Sequence, residues 1–290
     1  MQVLRFSLAL VLAMFLWGGG WTALKILTQS VGVEVLSLWR FIIMVLAFIP
    51  ILLYIKKPLQ LSKESFKYIL ISSCLNVAFM IFAYLGVQGS FAGSGGVIIT
   101  ILSPIFTFIF SAIFFKVSYF KHQYLGMFIG IIGSVIMLNI HDLYGFMHTS
   151  EVYFVLAALV WAGVTFLAQK SNSYIHPVHY SFFIACFSMI ILLVLNIGQD
   201  ITIVFRQDQK FWMALLYLGV FAQAIATTIY FIASGKLGSS KASSYMLLVP
   251  IFALIISYSI LDEPMQFHIV IGGIISLFSV YLINKNKAKM

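Results

Sequence analysis

The chain is built from long apolar runs cut by short polar breaks. Ten runs of roughly 20 mostly apolar residues, the length a helix needs to cross a hydrocarbon core, fall at 5–28, 33–55, 66–88, 93–115, 122–139, 151–170, 176–196, 211–235, 242–261 and 266–284. Connections are short, with longer ones around 141–150 and 197–210. None is long enough for an extramembrane domain, which excludes an enzyme domain hung on an anchor. Arg5 precedes the first run as it would in a secretory leader. That run nevertheless continues to Leu27, beyond a leader's apolar core of roughly 7–15 residues, and no A-x-A site follows. The pattern predicts an all-α integral membrane protein with ten transmembrane helices.

Composition strengthens this reading. Of 290 residues, 62% are hydrophobic and 9% charged, against about 25% charged in soluble domains. Mean hydropathy is +1.07. The surplus apolar surface requires a lipid bilayer as partner. The net charge of +9 raises the question of nucleic acid, but the basic residues stand singly or in small groups between apolar runs. Their placement follows the positive-inside rule instead. With the N-terminus inside, thirteen basic residues fall on the inner side: Arg5, Lys56, Lys57, Lys63, Lys67, Lys116, Lys121, Lys170, Lys236, Lys241, Lys285, Lys287 and Lys289. The outer loops hold Arg206 and Lys210. Both termini are therefore expected on the cytoplasmic side.

The chain also repeats. At an offset of 146, Tyr84 and Gly89 fall on Tyr230 and Gly235, Pro104-Ile105-Phe106 on Pro250-Ile251-Phe252, and His122 and Gly126 on His268 and Gly272. Trp17 meets Trp161 at an offset of 144. Residues 1–145 and 146–290 each hold five predicted helices. Because five is odd, the second half enters the membrane upside down. Two inverted five-helix repeats are an architecture used for alternating access by secondary transporters.

Arg40, about seven residues into the second helix, is the sharpest candidate for chemistry. An ionised side chain at that depth costs about 2.5 kcal/mol or more unless it snorkels, pairs or meets water. It either contacts a substrate anion or reaches outward to the interface, as Lys25 is expected to do. Trp17 and Trp21 share one helix face, as do Tyr84 and Gln88, and Gln223 and Tyr230 lie seven apart. With Asn76, Thr100, Ser103, Trp161, Thr165, Ser244 and Tyr245 they form a candidate cavity lining of aromatic walls and a few polar groups. The same residue types also serve as interfacial anchors and helix glue. Pro104 and Pro250 are expected to kink the fourth and ninth helices. Cys74 and Cys186 stand far apart, and the six histidines form no metal-ligand spacing, although His179 is a candidate proton-sensitive group. No cofactor is expected. The glycine-rich stretch before the fourth helix lacks the GxxxxGK[ST] phosphate-loop pattern.

Four segments together point to a family: Leu16-Trp17-Gly18-Gly19-Gly20 with Lys25; Leu38-Trp39-Arg40-Phe41; the glycine-rich entry to the fourth helix followed by Ser103-Pro104; and Leu261-Asp262-Glu263-Pro264 followed by Gly272-Gly273. Over its whole length the chain resembles the drug/metabolite transporter superfamily, specifically its EamA-type ten-helix members. The resemblance implies a basket of two inverted repeats around a central cavity, and movement of amino acids or other small metabolites, sometimes by exchange. It also implies a cell membrane location, a bacterial inner membrane first among the candidates. One departure is visible: the acidic Glu263 has Val117 as its counterpart in the first half. Small multidrug-resistance relatives carry a carboxylate in the middle of the first helix, and here that helix has none. A zwitterionic or anionic substrate fits better than a cation. The expected function is a secondary transporter or exchanger of small polar metabolites, working as a monomer. A membrane-embedded enzyme and a structural or sensory membrane protein are the alternatives.

Overall fold

The computed structural model describes residues 2–28, 30–55, 61–89, 92–138, 150, 152–261 and 267–285. The described residues form helices and no strand. In chain order these are α1 (Gln2–Leu27), α2 (Val33–Ile55), α3 (Lys63–Gly89), α4 (Ala92–Phe115), α5 (Lys121–Leu138), α6 (Val152–Ser171), α7 (Pro177–Leu195), α8 (Gln209–Leu237), α9 and α10 (Phe267–Asn284). α9 runs from Ser239–Ser244 through a 3-10 turn at Tyr245–Leu248 into Val249–Leu261. The longer connection before α8 carries a 3-10 turn, Ile201–Arg206, that the apolar pattern did not predict.

Eight helices, α1–α4 and α6–α9, are long and apolar enough to cross a membrane, and α10 holds a shorter apolar stretch, Val270–Asn284. The chain is a multi-pass membrane protein. Its surface is apolar, and hydroxyls lie within its largely apolar interior. Leu53, Ile113, Val194 and Ile274 stand exposed on its outer surface, while Ser72, Ser73, Ser103, Ser188 and Ser234 are buried. In hydrocarbon an interior hydroxyl must bond locally or across helices. Ser73 accordingly donates to the Ile69 carbonyl at 2.9 Å and Ser103 to the Ala158 carbonyl at 3.2 Å.

Helix ends follow local chemistry. Ser62 and Ser65 bond reciprocally across the start of α3, the Ser65 amide to Ser62 Oγ and the Ser62 amide to Ser65 Oγ. Pro177 opens α7, where its missing N–H leaves nothing unsatisfied. Asp208 caps α8, accepting from the Phe211 amide at 2.9 Å. α4 ends on Lys116 at φ 51°, with the Val117 amide reaching back to the Ser111 carbonyl. This left-handed stop usually takes glycine, and here it occupies the position beside Val117. Glu263, the other half of that comparison, lies outside the described residues, as do Asp142 and Glu151.

Several of the main helix contacts recur when the two halves are exchanged. α1 packs on α8 and α9, as α6 packs on α3 and α4; α2 packs on α8, as α7 packs on α3. α5 pairs with α10, and α2 with α7. The α5–α10 seam is closed by small residues. Side chains at Gly126, Gly130 and Gly133 would collide with Ile283, Ser279 and Ser276, and Ser279 donates to the Gly126 carbonyl at 2.7 Å. Where Pro250 removes a donor, α9 tightens into its 3-10 turn; α4 keeps α geometry through Pro104.

The largest departure from regular helix lies in α8. Residues Tyr217–Ala226 are wound as a π-helix, with α geometry on either side. A π turn widens the helix and takes carbonyls out of the usual i to i−4 ladder, and such turns concentrate at functional sites.

Candidate functional site

A cavity of about 100 Å³ lies inside the bundle, bounded by α1, α2, α3, α4, α6, α8 and α9. That is room for a few small polar groups and less than the roughly 300–1,000 Å³ of drug-sized sites. Six of the twelve residues singled out from sequence line it: Trp17, Trp21, Arg40, Tyr84, Trp161 and Gln223. Thr100, from the wider candidate set, lines it too.

Arg40 sits about 10 Å along α2 from Val33 at 1.5 Å per residue. It does not reach outward to the interface, one of the two dispositions its depth allows. The guanidinium turns inward, donating from Nη2 to Gln223 Oε1 at 2.8 Å and lying 3.5 Å from the Met80 sulfur. Its Nε is buried and meets no acceptor among the described residues. No Asp or Glu is among the described residues that line the cavity. Gln223, the acceptor, lies within the π segment of α8. Gly219, one turn before Gln223, lets α8 press onto α2: a Cβ there would stand 2.7 Å from Ile43 Cβ and 3.3 Å from the Arg40 carbonyl.

The aromatic wall is continuous. Trp17 and Trp161 meet edge to face with ring centroids 5.5 Å apart, Trp17 and Tyr230 at 5.0 Å, and Phe79 and Trp161 at 5.0 Å. The two tryptophans differ in polarity. Trp17 Nε1 donates to the Ala222 carbonyl, inside the π segment, at 2.9 Å. Trp161 Nε1 is buried and finds no acceptor among the described residues. Tyr84 Oη, also buried, has no partner among them either. The cavity wall thus offers Arg40 Nε, Trp161 Nε1 and Tyr84 Oη, with a fixed positive charge and no described lining carboxylate. Such a wall has hydrogen-bond donors to offer and a positive charge to be balanced.

The remaining candidates sit elsewhere. Ser103 ties α4 to α6. Thr165 donates to the Trp161 carbonyl at 3.0 Å and shares a 3.1 Å hydrogen bond with fully buried Tyr230. Tyr245 donates to Ser7 Oγ at 2.8 Å, joining α9 to α1. Asn76 is buried one turn before Met80, with Oδ1 unmatched among the described residues, but it does not line the cavity. The side chain of Gln88 lies outside the described residues. His179 is buried near the start of α7, beside His176. The lining residues that residue chemistry alone did not suggest include Phe79, Met80, Ala222, Thr227 and Met246.

Comparison with known proteins places this geometry. The "Uncharacterized transporter YoaV" of Bacillus subtilis is 23% identical over 97% of this chain and 97% of its own. The "Uncharacterized transporter sll0355" of Synechocystis is 27% identical over 98% and 91%. "WAT1-related protein At3g02690, chloroplastic" of Arabidopsis thaliana is 24% identical over 95% of this chain and 68% of its own. A crystal structure 14% identical superposes with a TM-score of 0.73 over 95% of this chain and 96% of that one, so the fold is shared. The pattern of the EamA-like transporter family matches residues 5–139 and again 148–285, and on that match, which takes in nearly the whole of the bundle and its cavity, the chain belongs to the EamA-like transporter family.

Proposed function

We propose that this membrane transporter is a secondary carrier or exchanger of small polar metabolites bearing a carboxylate, amino acids first among them. The observation that carries this reading is Arg40, turned into the bundle, held by Gln223, and unopposed by any carboxylate among the described lining residues. An amino acid would place its carboxylate against Arg40 and its ammonium against the faces of Trp17 and Trp21. The small cavity favours metabolites over bulky drugs.

The mechanism we propose is alternating access by two inverted five-helix repeats, residues 1–145 and 146–290, spanning the membrane ten times with α5 and α10 included. Support comes from the residue offsets, from the family pattern matching each half, and from main helix contacts that recur when the halves are exchanged. The charge bias of the connections supports cytoplasmic termini and a cell membrane, a bacterial inner membrane in particular. Gradients would supply the energy and one chain would suffice. Relatives named as transporters favour this over an enzymatic role.

Counterflow tests it. Proteoliposomes preloaded with pooled amino acids should accumulate labelled amino acid from outside, and one class should compete. Trp17→Ala and Trp161→Ala should lower flux while membrane insertion is kept. No counterflow by correctly inserted protein, with any amino-acid class, would overturn the amino-acid reading.

A further inference from the structure

A second cavity, larger than the first at about 600 Å³, lies apart from the transport cavity, where the connection from α4 to α5 meets the corner between α8 and α9 and the end of α10. Three nitrogen bases border it: Lys241, Lys285 and His122. No Asp or Glu is among the described residues that line it, and no described carboxylate pairs with either lysine. Lys116 in the α4–α5 connection, Lys121 at the start of α5 and Lys236 in the last turn of α8 add to the positive field.

The rest of the wall is mixed: Val117, Phe120 and Leu237 stand beside hydroxyls that are tied to one another. Ser111 and Ser239 share a hydrogen bond of 2.9 Å, and Tyr119 and Ser240 share one of 2.6 Å. The Ser239 amide donates to Gln169 Oε1, and His122 Nε2 faces the Lys285 carbonyl at 3.1 Å. Burial pushes the Tyr119 phenol above its ordinary value, so it stays neutral and adds no negative charge. Two lysines bordering one half-open space, Lys285 exposed and Lys241 half-buried, favour an anion between them. The hydroxyls of Ser239 and Ser240 beside Lys241 suit several acceptor oxygens on that anion. The volume exceeds what a free carboxylate would fill. Basic pockets between transmembrane helices at the inner membrane face are a recurring site for anionic headgroups.

We propose that this cavity is a binding site for a phosphate-bearing ligand, held by Lys241 and Lys285 and separate from the transport cavity. Two sources share that chemistry: the headgroup of an anionic phospholipid, and a soluble phosphorylated metabolite.

The test uses the full chain purified in neutral detergent and reads the thermal unfolding midpoint, which rises when a ligand binds the folded state. Phosphatidylglycerol, phosphatidylcholine, glycerol 3-phosphate and inorganic phosphate are added in parallel. The wild type should gain several degrees with phosphatidylglycerol or with the soluble phosphates, and little with zwitterionic phosphatidylcholine. The double variant Lys241→Gln/Lys285→Gln should lose the gain, while Lys67→Gln/Lys170→Gln, at the same membrane face but outside the cavity, should keep it. Should the double variant fold poorly, Lys241→Gln alone must still shrink the shift. A response to phosphatidylglycerol only assigns a lipid headgroup; a response to the soluble phosphates assigns a metabolite. No gain with any of the four, or an equal gain in the lysine variants, overturns the proposal. Because the readout is binding, failure here leaves the central cavity's role untouched.

Discussion

α3 packs on α6 and α7 as α8 packs on α1 and α2, and the two carry the offset-matched tyrosines Tyr84 and Tyr230, yet they are built differently. α3 is α-helical for its 27 residues. α8 unwinds into ten residues of π-helix before resuming. Tyr84 lines the cavity with a hydroxyl unmatched among the described residues, whereas Tyr230 is buried behind it and bonded to Thr165. The matched tryptophans divide the same way: Trp17 is tied to the π segment through the Ala222 carbonyl, and Trp161 is not tied. The difference teaches that sequence symmetry and site symmetry part company. In each pair one member is hydrogen-bonded to a neighbouring helix and the other keeps a polar atom unmatched among the described residues, although both tryptophans line the cavity.

The strongest way to break this comparison is to straighten the contact that the π segment provides. Gly219→Ala puts a Cβ against Ile43 and forces α8 off α2. Overpacking of this kind costs about 1–3 kcal/mol, and loss of the Arg40–Gln223 bond should cut flux at least tenfold in a proteoliposome assay. The tryptophan pair gives the next largest effect. Trp17→Phe forfeits a half-buried hydrogen bond worth about 1 kcal/mol and should lower the unfolding midpoint. Trp161→Phe, losing no bond among the described residues, should cost less stability and raise KM. The tyrosines sharpen the contrast at lower amplitude. Tyr230→Phe should cost about 1 kcal/mol of stability with KM unchanged; Tyr84→Phe should do the reverse. Equal effects within either pair would dissolve the division of labour.

The smallest effect lies outside the membrane. The Thr202 hydroxyl and amide hold the Asp200 carboxyl below its usual range. A depressed carboxylate contributes stability above its ordinary pKa, near 4, and that contribution is lost as pH falls through the folded value. Asp200→Asn should therefore slightly lower the midpoint at neutral pH, converge with wild type in acid, and leave transport unchanged.

Hydropathy made the helices legible because a bilayer imposes a length and a solvent on every segment. The predicted edges lie within a few residues of those observed for α1 through α4 and α6 through α8. Arg40 was legible because charge inside hydrocarbon is conspicuous. Its direction was not, since both outward and inward paths exist at that depth and only packing against Gly219 and Gln223 chooses. The π segment carries no proline to mark it, and its one glycine, Gly219, reads in sequence like any small residue at a helix contact. Ser103, Thr165, Tyr230 and Tyr245 were drawn to the cavity by residue type, but each spends its hydroxyl on a neighbouring helix or its own backbone. Phe79, Met80 and Met246 were passed over because an apolar residue facing a cavity and one facing lipid read alike.

The most direct test of the central claim is substrate-induced stabilisation by a transported amino acid and by its carboxamide, compared in wild type and Arg40→Gln. The account predicts that the acid raises the wild-type unfolding midpoint, the carboxamide far less, and that Arg40→Gln loses the preference. A preference for the acid that survives intact in Arg40→Gln would contradict it.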